Sequence, residues 1–212
     1  MFSQVSAEDE YKSNLTNDAH DQLIEIVKES EDIKFKVKDQ KNYYLDSSDF
    51  LLKYNGINLR VRLIGKVKEN KTKFKDAELT IKSNGRYNPG TFEVKTNKDD
   101  NLSSKDEYEC VFKDIKDAQA LVENPALLVE VNEETCITIE DSHEKKHPIV
   151  FLTERMKTPL SYPAEGEETL ERELTFDQLE LVGSNENRRH KGKLKLDDQK
   201  IKIEIDHTKY ST

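Results

Sequence analysis

The sequence predicts a mostly β, antiparallel α+β protein, and three observations carry that expectation. The first is period-two alternation. "IKFKVK" sets Ile33, Phe35 and Val37 against Lys34, Lys36 and Lys38, and "NLRVRL" sets Leu59, Val61 and Leu63 against Arg60 and Arg62. "ELTIK" sets Leu79 and Ile81 against Glu78, Thr80 and Lys82, and "TFEVK" sets Phe92 and Val94 against Glu93 and Lys95. "QKIKIEIDH" does the same with Ile201, Ile203 and Ile205. Successive side chains of a strand point to opposite faces, so such segments read as half-buried strands. The second is the turn signals between them, Asp46-Ser47-Ser48-Asp49, Asn55-Gly56 and "SNGRYNPGT". The third is that only short segments carry helix spacing instead. The charged side of the alternation has two readings: an open sheet with that face in water, or a closed barrel with that face lining a channel. A charged interior must stay wet, pair its acids with bases, or hold a charged ligand, because an unpaired buried ion costs several kcal/mol.

Taken in order, "SAEDEYKSN" (6–14) comes first, with Glu8, Glu10 and Lys12 at alternate positions. In a strand all three share a face; in a helix only Glu8 and Lys12 pair. "LTNDAHDQLIEIVKES" predicts a helix capped by Thr16 or Asn17, with an apolar stripe of Leu23, Ile24 and Val27. "DQKNYYLDSSDFLLKYNGINLRVRL" reads as strand, turn, short strand, turn, strand. Residues 66–77 are lysine-rich and read as an exposed loop. "KDIKDAQALVEN" predicts a helix ending before Pro125, and "ALLVEVNEETCITIED" a strand pair or a bent strand. Residues 141–173 read as a flexible insertion around one short strand, "IVFL", within a single domain spanning 1–212. "TFDQLELVG" reads as a short helix with a capping box, Thr175 with Gln178, stopped at Gly183.

Composition narrows the function classes. Of 212 residues, 36% are charged, and the net charge of -9 argues against a broad electrostatic grip on nucleic acid or an anionic membrane. Any polyanion site must then be a local basic pocket. Cys110 and Cys136 form no metal-ligand spacing and no disulfide framework. No apolar run is long enough to span a membrane and no signal-peptide pattern opens the chain, so a cytoplasmic, reducing location is the default expectation. The five histidines, His20, His143, His147, His190 and His207, are scattered without metal-binding spacing and read as structural or solvated. "NENRRHKGKLK" is basic but lacks the aromatic interleaving of a single-strand nucleic-acid platform.

"EDEYK" near the start fits an ExExK signature, and three further segments follow it in order. They are the tyrosine-rich strand ending in Asp46, the glycine turn with its Arg60-x-Arg62 strand, and the Leu79-Thr80-x-Lys82 strand. This succession resembles the CYTH domain, the triphosphate tunnel metalloenzyme family. "GSNENRRHKG" followed by "KIKIEIDHTKYS" resembles the family's bacterial branch. The resemblance implies an eight-stranded antiparallel tunnel barrel with a charged interior and flanking helices, which selects the barrel from the two readings above.

The same resemblance implies roles. Glu8 and Glu10 match metal-holding carboxylates, and Glu93 a further acid lining the tunnel. Oxygen ligands suit Mg²⁺ or Mn²⁺. Lys12, Arg60, Arg62 and Lys82 match the cations that bind the triphosphate, and Arg189, or else Arg188, matches the cation of the second half. Glu10 and Lys12 are the implied catalytic pair. A triphosphate carries about four negative charges near neutral pH, so cations and metal must offset the repulsion of a water nucleophile. The implied activity is metal-dependent hydrolysis of inorganic triphosphate. A hydrolase or cyclase acting on a triphosphate ester such as thiamine triphosphate or ATP is the alternative, and so is a non-catalytic polyphosphate or nucleotide binder. The family places a late ExE strand beyond the "DHxxY" turn, and the sequence ends at Thr212. Either the sequence is shortened there, or acids elsewhere substitute, with Glu130, Glu133, Glu134, Glu204 and Asp206 as candidates. A barrel edge left open at the C-terminal end would suit a homodimer.

Overall fold

A computed structural model describes residues 16–29, 36–68, 71–84, 105–139, 146–163, 169–196 and 199–211. It forms two compact units, Val37–Arg189 with Thr208–Thr212, and Met1–Lys36 with His190–His207. The strands are β1 (Lys36–Asp46), β2 (Ile57–Lys68), β3 (Lys71–Asn84), β4 (Lys105–Phe112), β5 (Cys136–Thr138), β6 (Leu160–Pro163), β7 (Thr169–Arg172), β8 (Glu180–Leu196) and β9 (Gln199–Ser211). The helices are α1 (Asn17–Glu29), α2 (Leu51–Tyr54), α3 (Ile115–Glu123) and α4 (Pro148–Met156), with 3-10 turns at Pro125–Glu130 and Phe176–Gln178. Seven strands share one sheet in the order β5-β4-β3-β2-β1-β8-β9, and β6 pairs with β7 in a separate ribbon. The pairings from β1 through β5 are antiparallel, as the alternation required. The sheet is not closed on itself among the described residues. "TFEVK", Ile33–Phe35 and the "SAEDEYKSN" segment lie outside them.

The two faces of this sheet do different work. Leu59, Val61 and Leu63 of β2, Leu79 and Ile81 of β3, and Tyr108, Cys110 and Phe112 of β4 are all buried. They pack with Leu51 and Leu52 of α2, Ala118 and Leu121 of α3, and Ile149 and Leu152 of α4 into one core. The apolar face is thus covered by helices, which leaves the polar residues of the same strands on the opposite face. In the other unit, Ile24 of α1 packs with Ile205 of β9. The Thr16 hydroxyl accepts from Ala19 N at 3.2 Å, which makes Thr16 the cap of α1.

Several local expectations change. The short strand expected at 50–54 is α2. It starts after Phe50, which sits in the left-handed region at φ 57. The buried Asp46 carboxylate takes the N–H groups of Ser47, Leu52 and Lys53 at 2.8, 2.8 and 3.0 Å, and the Ser47 hydroxyl takes that of Leu51. Side-chain acceptors reaching forward favour a capped turn over a strand. Gly56, at φ 68, then supplies the turn into β2 that only glycine adopts freely. Residues 66–68 and 71–77 are strand: β2 and β3 run on as a ladder from Lys66↔Lys73 to Lys68↔Lys71, and residues 69–70 lie outside the described ones. "IVFL" lies in α4, with His147 as its cap and Pro148 at its first turn. A four-residue apolar run cannot separate helix from strand, and burial of Ile149 and Leu152, three apart, decides it. "ALLVEVNEETCITIED" gives a 3-10 turn, a loop and the three-residue β5. α3 and the Thr175–Gln178 capping box form as expected, but Gly183 lies inside β8 rather than at a helix stop. Cys110 and Cys136 form a disulfide, correcting the reading from spacing. Antiparallel pairing of β4 with β5 brings together two cysteines 26 apart, a proximity that spacing does not encode.

Gly65 marks a register shift between β2 and β3. A Cβ there would lie 2.4 Å from Thr72 Cγ2 and 3.2 Å from the Lys73 carbonyl. The Thr72 hydroxyl donates to Asp39, so its side chain is not free to swing away. Gly65→Ala is expected to destabilise by about 1–3 kcal/mol. Urea denaturation checks this, and Thr72→Ser, which removes Cγ2, should recover part of the loss.

Candidate active site

The polar face of β1 to β4 is built in cross-strand rows. One row is Tyr44, Arg60, Thr80 and Glu109; the next is Asn42, Arg62 and Glu78; a third pairs Lys82 with Glu107. Arg60 Nη2 donates to Thr80 Oγ1 at 3.3 Å, and that hydroxyl donates to Glu109 Oε1 at 3.1 Å. Arg62 Nε donates to Asn42 Oδ1 at 3.0 Å, and its Nη1 to Glu78 Oε2 at 3.3 Å. Lys82 Nζ lies 2.8 Å from Glu107 Oε1. Arg60, Arg62 and Lys82, all singled out from the sequence, therefore share one face of adjacent strands.

Their electrostatics are unbalanced at Arg60. Its Nε is buried with no partner among the described residues. Burial, then the charge of neighbouring Arg62, pushes the guanidinium below its ordinary value. The carboxylates behave as a pair. Burial, then the Glu107 charge and a hydrogen bond that protonated Glu109 donates to that partner, raises Glu109. Burial acts to raise Glu107 as well, but the hydrogen bond and charge of Lys82 outweigh it and hold it low. Of the pair, Glu109 is the member that keeps its proton to the higher pH.

Glu107 and Glu109 are the functional candidates that sequence reasoning missed. The match to the family's tunnel acid fell on Glu93, which lies outside the described residues. Among the described residues, 105–112 is hydrogen-bonded to β3, with Lys82 opposite Glu107 and Thr80 opposite Glu109. A signal existed: "KDEYECVF" alternates Glu107, Glu109 and Val111 with Tyr108, Cys110 and Phe112. The donor set fits a hard divalent cation. Glu107 and Glu109 share a hydrogen bond, a pair of carboxylates whose hard oxygen donors suit Mg²⁺ or Mn²⁺.

The other singled-out residues fall as follows. Glu8, Glu10 and Lys12 lie outside the described residues. On β8, Asn185 and Asn187 reach Asn42, Tyr44 and Gln40 across the polar face. Arg189 continues their alternation, whereas Arg188 lies on the other side and pairs with Asp39 at 2.8 and 3.1 Å. Glu130, Glu133 and Glu134, the expected substitutes, are exposed around the loop before β5. Glu204 pairs with Lys191, and Asp206 is exposed. No described helix is long and apolar enough to cross a membrane.

Comparison with known proteins was made against this geometry. No curated protein matches the chain in sequence. Among solved structures, it is similar to a candidate adenylate cyclase from Bacillus halodurans, at 16% identity and a TM-score of 0.46, covering 92% of this chain and 70% of that one. It is also similar to a candidate adenylyl cyclase from Hippeastrum described as having a dominant triphosphatase activity, at 14% identity and a TM-score of 0.47, covering 91% and 75%. A family model described as the CYTH domain matches residues 6–212. By that match over nearly its whole length, the chain belongs to the CYTH domain family, whose members act on triphosphates and are typically dependent on divalent metal ions.

Proposed function

We propose that this protein is a divalent-metal-dependent triphosphatase whose substrate is inorganic triphosphate. The observation that carries the reading is Arg60, a buried guanidinium with an unpartnered Nε, beside a second arginine on one polar sheet face. Burial and Arg62 disfavour this charge more than Tyr44, Glu107 and Glu109 favour it, and a cation so placed fits an anionic ligand. Arg60 and Arg62 offer forked contacts to phosphate oxygens, and Lys82 and Arg189 add point or forked charge. By the family resemblance Glu8 and Glu10 are carboxylates that would hold Mg²⁺ or Mn²⁺, and the Glu107–Glu109 pair is by itself a carboxylate set that fits such an ion. Such an ion, when bound, offsets phosphate charge and lowers the pKa of coordinated water. The chain's own residues do the rest: the arginines hold the polyphosphate extended, and Glu10 or Lys12 takes the proton of the attacking water as the terminal P–O bond breaks and diphosphate leaves.

The test is phosphate release from tripolyphosphate by the 212-residue chain, with Mg²⁺, Mn²⁺ or chelator. ATP and thiamine triphosphate run alongside, as do Glu8→Ala/Glu10→Ala and Glu109→Gln variants. We expect metal-dependent release from tripolyphosphate first, lost in the double variant and shifted to higher metal concentration in Glu109→Gln. Preferential turnover of an ester overturns the substrate assignment. Tight tripolyphosphate binding without release would instead mark a non-catalytic binder.

A further inference from the structure

Arg62 is held differently from an ordinary buried arginine. Its Nη1 faces Glu78, but its Nε is held by a neutral amide, the Asn42 oxygen, at 3.0 Å. Asn42 is itself oriented from another strand. Its Nδ2 donates to Asn185 Oδ1 at 2.8 Å, and Asn185 Nδ2 donates to the Tyr44 hydroxyl at 3.0 Å. Both amides are buried, at 5% and 6% exposure. Each Asn42 amide atom therefore has a partner, and rotating the amide by half a turn would set its NH₂ against the Arg62 N–H. A carboxylate at position 42 would hold Nε equally well but would add a second counter-charge to that of Glu78, which already pairs with Nη1. The amide fixes direction and adds no charge.

We infer that Asn42, locked by Asn185, is a positioning residue that aims Arg62 at the triphosphate without neutralising it. The inference rests on the triphosphate reading above for its ligand, but not for its geometry. The network couples Asn42 and Asn185, 143 apart in sequence, through one hydrogen bond, and coupled buried networks fail together when one member is removed.

Two measurements on the full chain test it. The first is the arginine Nε–Hε NMR signal of Arg62, assigned by its absence in Arg62→Ala. The second is calorimetric titration with tripolyphosphate. In the wild type the Hε should exchange slowly with water. Asn42→Ala and Asn185→Ala should each make it exchange fast. Affinity should fall about tenfold in Asn42→Ala, the loss expected for one buried bond to a charged group. It should fall less in Asn185→Ala, and Asn42→Ala should have no further effect in the Arg62→Ala background. Asn42→Asp, which keeps the acceptor, should leave the Hε protected yet still weaken binding, and it serves if the alanine variant melts early. Unchanged Hε exchange in Asn42→Ala, or additive effects with Arg62→Ala, would overturn the inference. If the wild type does not bind tripolyphosphate, the ligand assignment falls, while loss of Hε protection in Asn42→Ala still upholds the positioning role.

Discussion

Arg60→Met is expected to weaken tripolyphosphate binding on the order of a hundredfold while leaving the melting temperature unchanged or higher. The two effects have one cause. Arg60 is largely buried, its Nε lacks a partner, and its hydrogen bond to Thr80 is long at 3.3 Å. Burial and the adjacent Arg62 disfavour its charge in the folded protein more than Tyr44, Glu107 and Glu109 favour it, so the guanidinium is a burden without ligand. Methionine fills much of the same volume without a charge to desolvate. A phosphate chain supplies the missing counter-charge, so the arginine helps only when ligand is bound. Arg60→Lys should fall between, keeping the charge but losing the fork. Calorimetry and thermal melts of the three proteins decide it. A fall of several degrees in Arg60→Met, with affinity retained, would make Arg60 a structural residue and remove the main support for the proposed function.

Asp46→Ala is expected to destabilise the protein by about 2–4 kcal/mol. Its carboxylate, 4% exposed, satisfies three backbone N–H groups that open α2. Without it those donors are left in an apolar surround, and Phe50 loses the network that keeps it in the left-handed region. The pH dependence has an unusual sign. Burial raises the Asp46 carboxyl despite the three N–H bonds that lower it. The native state therefore holds this proton more tightly than the unfolded chain. Stability from this group declines as pH rises from the unfolded value, about 4, through the raised folded value. Asp46→Asn should flatten that part of the profile while costing about 1 kcal/mol, because its NH₂ meets the Lys53 N–H. Urea melts of wild type and both variants across that range check the magnitude and the sign. An unchanged profile in Asp46→Asn would show that another carboxyl carries it.

What the sequence determined by itself is which face each strand residue takes. "NLRVRL" and "ELTIK" already separate Leu59, Val61, Leu79 and Ile81 from Arg60, Arg62 and Lys82, because side-chain alternation is a property of single strands. The helix caps at Thr16 and Thr175 were legible for the same reason: each acts within three residues. Tertiary structure decided what meets across the sheet. Glu107 stands opposite Lys82 because register is set by pairing between distant segments. It also decided that "IVFL" is a helix, that Cys110 meets Cys136, and that Asn185 reaches Asn42. Such contacts follow from which apolar faces pack together over the whole chain, and no local spacing records that choice.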